Sequence, residues 1–186
     1  MTDIIIIGAG IAGLACARRL TDAGLHVTVI DKGRGIGGRV ATRRARDLRF
    51  DHGAPYAHAQ GAKFDTVLRG LCDNGHAALW TDSEGEMWTV GTPGMSTIPK
   101  GMAARLDVHL ATQVRAVVPN GSGWSVQCDD QKYDARRVVI TVPAPQVAGL
   151  LGAHHPLVAQ IADVEMSPGL TLMAVVTGDA PTSRLG

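Results

Sequence analysis

Gly8-Ala9-Gly10-Ile11-Ala12-Gly13 follows directly on four consecutive isoleucines, and an acid, Asp31, closes the next apolar run. Glycines at this spacing, between a strand and a helix, form a cradle for an anion. Gly8 permits the tight turn, Gly10 lets main chain approach a pyrophosphate, and Gly13 lets the helix pack closely on the strand. Ile11 and Ala12 open that helix, whose first N–H groups and partial positive charge face the phosphates. Asp31 stands where a carboxylate accepts both hydroxyls of an adenosine ribose, and it disfavours a 2′-phosphate there. On this reading Asp31 serves the ligand and has little part in the fold. The chemistry indicated is dinucleotide binding, and these residues alone do not separate FAD from NAD.

A second set of charged residues lies close by. Arg39, Arg43, Arg44, Arg46 and Arg49 fall within eleven positions. The plainer reading is a solvated face for most of them; the sharper one is a local phosphate site. His52, Tyr56 and Trp88 have packing as their plainer role and a place near a ligand as the sharper one. His154-His155 has no evident carboxylate partner, and no metal site is assigned.

The elements that must position these groups follow from the apolar pattern. Residues 3–7 read as a fully buried parallel strand, residues 11–23 as an Ala-rich helix closed by Gly24, and His26–Asp31 as a second strand. This is a β-α-β unit of about thirty residues. Residues 32–57 read as irregular. Ala62–Asn74 is a helix with Phe64, Val67, Leu68, Leu71 and Cys72 on one face, and residues 77–90 form a hairpin turning near Ser83-Glu84-Gly85. A helix is expected at about 96–106, and strands at Val108–Ala111, Val114–Val118, Trp124–Cys128 and Val138–Val142. A helix at about 156–165 and an apolar strand at 170–177 follow. Alternating β and α, then a β-meander, argues for an α/β protein with an antiparallel insertion.

Composition narrows the classes. The chain has 186 residues, 45% of them hydrophobic, and a net charge of +1 from 18 basic and 17 acidic residues. This suits a globular domain and gives no global electrostatic case for nucleic acid. Cys16, Cys72 and Cys128 are scattered, which argues against zinc and fits a reducing, cytoplasmic setting. The run Ile4–Ile7 is too short for a signal peptide or a membrane span, so no membrane association is expected.

The segments after Asp31 carry a resemblance to a known family. Lys32-Gly33-Arg34-Gly35-Ile36-Gly37-Gly38-Arg39 is similar to the second FAD fingerprint of flavin amine oxidases. Asp51-His52-Gly53-Ala54-Pro55-Tyr56 resembles their segment beside the flavin ring. Trp88-Thr89-Val90-Gly91-Thr92-Pro93-Gly94-Met95-Ser96, and Val138–Gln146 with its Thr141-Val142-Pro143-Ala144-Pro145-Gln146, are similar to segments of the renalase-like branch. The resemblance implies a Rossmann-like FAD-binding domain of the glutathione-reductase type with an inserted β-rich substrate lobe. It places the FAD domain at 1–56 and 101–150, and a partial lobe at 57–100 and 151–186. It implies that Gly8, Gly10, Ile11, Ala12 and Gly13 line the pyrophosphate turn and that Asp31 binds ribose. Lys32, Gly38 and Arg39 would hold phosphate, Gly53 and Ala54 would run beside the isoalloxazine, and Val114 would meet adenine through its backbone.

The same resemblance implies what the cofactor would do. FAD accepts a hydride at N5 from an isomeric dihydronicotinamide nucleotide and is reoxidised by dioxygen to give hydrogen peroxide. No protein nucleophile is needed, and no catalytic residue is assigned. Oxidation of an amine, a desaturation, and a non-catalytic dinucleotide-binding module or truncated remnant stay open as alternatives. The chain stops at Gly186 without the C-terminal return segment of such enzymes. An incomplete catalyst that self-associates through 170–177 is therefore expected.

Overall fold

The computed structural model describes residues 2–175. It divides into two compact units. One comprises the chain up to Gly38 and Ala103–Gly169; the other comprises Arg39–Met102 and the segment from Leu170.

The first unit is built on one mixed sheet. Strand β1 (Thr2–Ile7) carries Ile4–Ile7, all at most 5% exposed. β-branched residues buried on both faces suit a central strand flanked by parallel neighbours. Helix α1 (Ile11–Asp22) follows, burying Gly13, Leu14 and Ala17. Gly24 ends it with φ +83°, a left-handed conformation that costs glycine nothing. Strand β2 (Val27–Ile30) then pairs in parallel with β1. The later strands join the same sheet after the chain has left for the second unit and returned. With β7 (Asp107–His109), β8 (Val114–Asn120), β9 (Gly123–Cys128) and β10 (Lys132–Ile140), the strand order is β7-β2-β1-β10-β9-β8.

Strand β10 has two halves with different partners. Residues Lys132–Ala135 pair antiparallel with β9, while Ala135 to Ile140 run parallel to β1. The meander and the nucleotide-binding strands therefore share one sheet. Its core is Ile5, Ile7, Ile30, Val114, Val117, Val126 and Ala135, with Trp124 and Tyr133 packed against them. The α/β fold class expected from the sequence is the one observed. Strand β10 is longer than the expected Val138–Val142: it begins six residues earlier and stops at Ile140.

Among the described residues, the second unit holds two hairpins and two helices. Strands β3 (Thr42–Ala45) and β4 (Leu48–Asp51) lie within a stretch expected to be irregular. Helix α2 (Ala62–Asp73) buries Leu68 and Leu71. Strands β5 (Ala77–Thr81) and β6 (Met87–Gly91) form the expected hairpin. Its turn is held by Asp82, whose carboxylate accepts from the N–H groups of Glu84 and Glu86 and from the Trp88 indole. Helix α3 (Thr97–Met102) is shorter than expected. The chain after it reaches Arg105 at φ +68°, a backbone state no helix contains.

Two expectations for the last part of the chain are corrected. The helix expected at 156–165 is only the exposed α5 (Pro156–Gln160), preceded by the one-turn α4 (Ala148–Leu151). No residue of α5 is buried, and a helix this short needs packing to persist. Residues 170–175 form no strand, and positions 176–177 lie outside the described residues. Leu170, Leu172 and Val175 are exposed, and no edge among the described strands hydrogen-bonds to this segment. A nearly continuous apolar run without a partner edge does not make a strand. No helix among the described residues is long and apolar enough to cross a membrane.

Candidate cofactor-binding site

The turn between β1 and α1 is drawn tight from two sides. A Cβ on Gly13 would lie 2.0 Å from the Gly8 carbonyl oxygen, and one on Gly8 would lie 2.7 Å from Thr141 Oγ1. Gly8 also sits at φ +114°. Gly10 differs: a Cβ there would meet nothing within 4 Å. Two glycines thus bring helix and strand together, and the third leaves an open main-chain surface. The first intrahelical bond of α1 runs from Leu14 N–H to the Gly10 carbonyl, so the N–H groups of Ile11, Ala12 and Gly13 come before it and point out of the helix start. No side chain caps this end, and no acid occupies its first turn. The end therefore keeps its positive character for an anion.

Asp31 closes the turn from below. Its Oδ2 accepts from Ala9 N–H at 2.6 Å, and its Oδ1 accepts from Gly33 N–H at 2.6 Å. The carboxylate is a brace between the two glycine turns as well as a candidate ligand group. The expectation that it matters little to the fold is corrected by these two bonds. The second turn folds against the first: Gly37 N–H donates to the Ala9 carbonyl at 2.9 Å, and a Cβ on Gly38 would lie 3.5 Å from the Gly10 Cα. Gly38 is left-handed at φ +56°. Gly8, Gly10, Ile11, Ala12, Gly13, Asp31 and Gly38 are therefore gathered around one turn.

Lys32 and Val114 stand apart from it. The Lys32 ammonium donates to Gln146 Oε1 at 3.1 Å, tying it to the segment after β10. The Val114 side chain is in the core, 4% exposed, and its carbonyl accepts from the Gln113 side chain. The loop before Val114 does reach the site. Thr112 N–H donates to the Asp31 carbonyl, and Ala111 N–H donates to the Gly33 carbonyl. Thr141 and this loop are contributors that sequence reasoning did not assign. Thr141 was legible only as the first residue of a quoted motif, and nothing in residues 110–112 signals the contact.

Arg39, Gly53 and Ala54 belong to the second unit and meet each other there. Ala54 N–H donates to the Arg39 carbonyl at 3.0 Å, and a Cβ on Gly53 would lie 2.0 Å from the same oxygen. The segment Asp51–Tyr56 thus runs against the main chain that begins at Arg39. Asp51 also joins the motif segments: its Oδ1 accepts from Thr42 Oγ1 and from Met95 N–H, while Thr42 Oγ1 accepts from Ser96 N–H. Tyr56 and Trp88 lie ring to ring at 4.2 Å between centroids. No group of three His, Cys, Asp or Glu residues that could hold a metal exists among the described residues.

A strand-turn-helix glycine cradle with an acid at the next strand end defines a Rossmann-like dinucleotide-binding protein. The comparisons agree and go further. Residues 6–74 match the family profile of the NAD(P)-binding Rossmann-like domain, and residues 71–175 match that of flavin containing amine oxidoreductase. The second match covers more than half of the chain, so the chain belongs to the flavin-containing amine oxidoreductase family, whose cofactor is FAD.

Individual relatives are matched over short stretches. (S)-6-hydroxynicotine oxidase of Paenarthrobacter nicotinovorans is 41% identical over 61 residues, 31% of this chain and 14% of that protein. Flavin-containing amine oxidase B of Cavia porcellus is 40% identical over 68 residues, 36% of this chain and 12% of that protein. Among solved structures, putrescine oxidase bound to putrescine superposes with a TM-score of 0.62 at 18% identity, over 80% of this chain and 60% of that one. A CLA-producing fatty acid isomerase from P. acnes gives 0.68 at 12% identity, over 82% and 61%. The chain thus spans about three fifths of these structures, and the last two likenesses concern the fold alone.

The cradle fits FAD in its own geometry: an open Gly10 surface, an uncapped helix start and a second glycine turn laid against the first. Arg39 follows that second turn directly, whereas Arg46 stands at the tip of the β3–β4 hairpin with φ +54°. Arg39→Ala is expected to weaken FAD binding roughly tenfold or more, the loss of one charge-assisted bond of about 1.5–3 kcal/mol. Arg46→Ala is expected to leave it unchanged. Flavin fluorescence titration of the two variants checks this; equal losses would show that the whole basic run faces phosphate.

Proposed function

We propose that this chain is the cofactor-binding part of an FAD-dependent oxidase of the renalase-like branch, acting on isomeric dihydronicotinamide nucleotides. The observation that carries the FAD part is the second glycine turn, Gly37-Gly38, laid against the Gly8–Gly13 cradle and followed directly by Arg39. The branch and the substrate rest on the four segments quoted above, in their order and spacing. Bound FAD would supply hydride acceptance and return of the electrons to dioxygen. The chain's own residues would bind and orient. The α1 N-terminus and Arg39 would hold the pyrophosphate, Asp31 the ribose, and the Gly53–Ala54 main chain would line the flavin. Lys32 and Val114 would complete the phosphate and adenine ends. Three free thiols, at Cys16, Cys72 and Cys128, suit a reducing compartment, and we place the protein in the cytoplasm. The exposed segment 170–175 would serve as a self-association surface.

The test has two steps. Ligand released by acid from the purified protein is expected to be FAD by mass; NAD alone would overturn the reading. Adding a dihydronicotinamide isomer under anaerobic conditions is expected to bleach the flavin, with recovery in air. A second reading is amine oxidation, favoured by the matched stretches of amine and hydroxynicotine oxidases. Bleaching by an amine and not by dihydronicotinamides would select it.

A further inference from the structure

In the β3–β4 hairpin Arg44 pairs directly with Arg49, and Thr42 pairs with Asp51 two positions along. Directly opposed residues of an antiparallel pair share a face, with Cβ atoms about 4.5–5.5 Å apart. Two exposed arginines are therefore rooted side by side on one face, an arrangement that like-charge repulsion disfavours. Among the described residues no carboxylate forms an ion pair with either. The one acid on the same face, Asp51, is committed to Thr42 and to Met95 N–H. The hairpin is also anchored at its base, because Thr42 Oγ1 accepts from Ser96 N–H. The two arginines thus stand on an anchored hairpin. Opposed guanidiniums with forked donors match the oxygens of a phosphate group, which removes the repulsion that isolates them.

We infer that Arg44 and Arg49 form a clamp for a phosphate group of the substrate. The inference rests on the dihydronicotinamide reading, since such substrates occur as nucleotides carrying phosphate. It adds a recognition element distinct from Arg39, which is assigned to the cofactor. The clamp acts on binding, so it should appear in KM, and salt should screen it.

The experiment compares FAD-loaded wild type with Arg44→Gln, Arg49→Gln, the double variant and Arg46→Gln. Two substrates are used: an isomeric dihydronicotinamide dinucleotide, and the same ring carried on a phosphate-free N-substituent. Each single variant is expected to raise KM for the dinucleotide about tenfold, and the double variant about a hundredfold. The ratio of kcat/KM between the two substrates should fall by the same factors, and Arg46→Gln should leave that ratio unchanged. Calorimetric titration with inorganic pyrophosphate is expected to lose the corresponding affinity in the double variant. Melting temperatures should hold or rise, because a like-charge pair is removed. Unchanged pyrophosphate affinity in the double variant would overturn the clamp, as would an equal loss in Arg46→Gln, which would mark diffuse attraction. If neither dihydronicotinamide is oxidised, the substrate reading fails, and the pyrophosphate titration alone decides the clamp.

Discussion

Gly13→Ala is expected to abolish stable FAD retention while α1 still forms. The added methyl would stand 2.0 Å from the Gly8 carbonyl oxygen and 2.8 Å from Thr141 Oγ1. Thr141 can rotate, but the Gly8 carbonyl is main chain just beyond the buried end of β1. Relief must come from moving α1 away from β1. Overpacking of this kind costs about 1–3 kcal/mol or more. The displaced helix would carry the N–H groups of Ile11, Ala12 and Gly13 off the pyrophosphate position, so FAD affinity should fall roughly a hundredfold. Alanine is a better helix former than glycine by about 1 kcal/mol, so helical circular dichroism should persist while flavin is lost on gel filtration. Full retention of flavin by this variant would show that the cradle does not hold the cofactor.

Asp31→Ala is expected to lower stability and cofactor affinity together. It removes both acceptors for the Ala9 and Gly33 N–H groups, and Ala9 is fully buried. A buried donor left without a partner costs about 1–3 kcal/mol, and each bond to a charged acceptor contributes about 1.5–3 kcal/mol. A loss of about 3 kcal/mol in unfolding free energy is the expected result for apo protein in urea. Asp31→Asn keeps one acceptor oxygen and turns an N–H₂ toward a donor, so it should fall between wild type and Ala. A ribose-binding role alone would leave apo stability untouched in both variants. Unfolding of the apo form therefore separates brace from ligand group, and FAD titration of the same variants measures the second role.

Much of the first unit could be read from residue order. The Ile4–Ile7 run, the glycine hexamer and Asp31 gave β1, α1 and β2 within two residues, because a buried parallel strand and a glycine-closed helix leave local marks. The α2 helix and the β5–β6 hairpin were legible for the same reason. What was hidden depends on partners distant in sequence. Strands β3 and β4 are nearly all exposed and rich in arginine, so no apolar alternation announces them; Thr42, Asp51 and Ser96 hold them in place. The first part of β10, Lys132–Arg137, is mostly polar, and it is a strand because β9 and then β1 hydrogen-bond to it. Leu170–Val175 shows the reverse, a nearly continuous apolar run with no edge to join. For the site, an acid at the end of β2 suggested a ligand group, but its grip on Ala9 appears only once the turn is folded.

The double partnership of β10 has a consequence for the making of the chain. Strand β1 lies between β2 and β10, and its closing contact, Thr141 to the Ile7 carbonyl, joins residues 134 apart. At a ribosomal rate of roughly 5–20 residues per second, this second edge waits about 7 to 27 s for its neighbour. During that interval four isoleucines present an unpaired edge to other nascent chains. A chaperone that binds extended apolar segments should therefore engage Thr2–Ile7 on ribosome-bound chains arrested before residue 132 and release it once Ile140 has emerged.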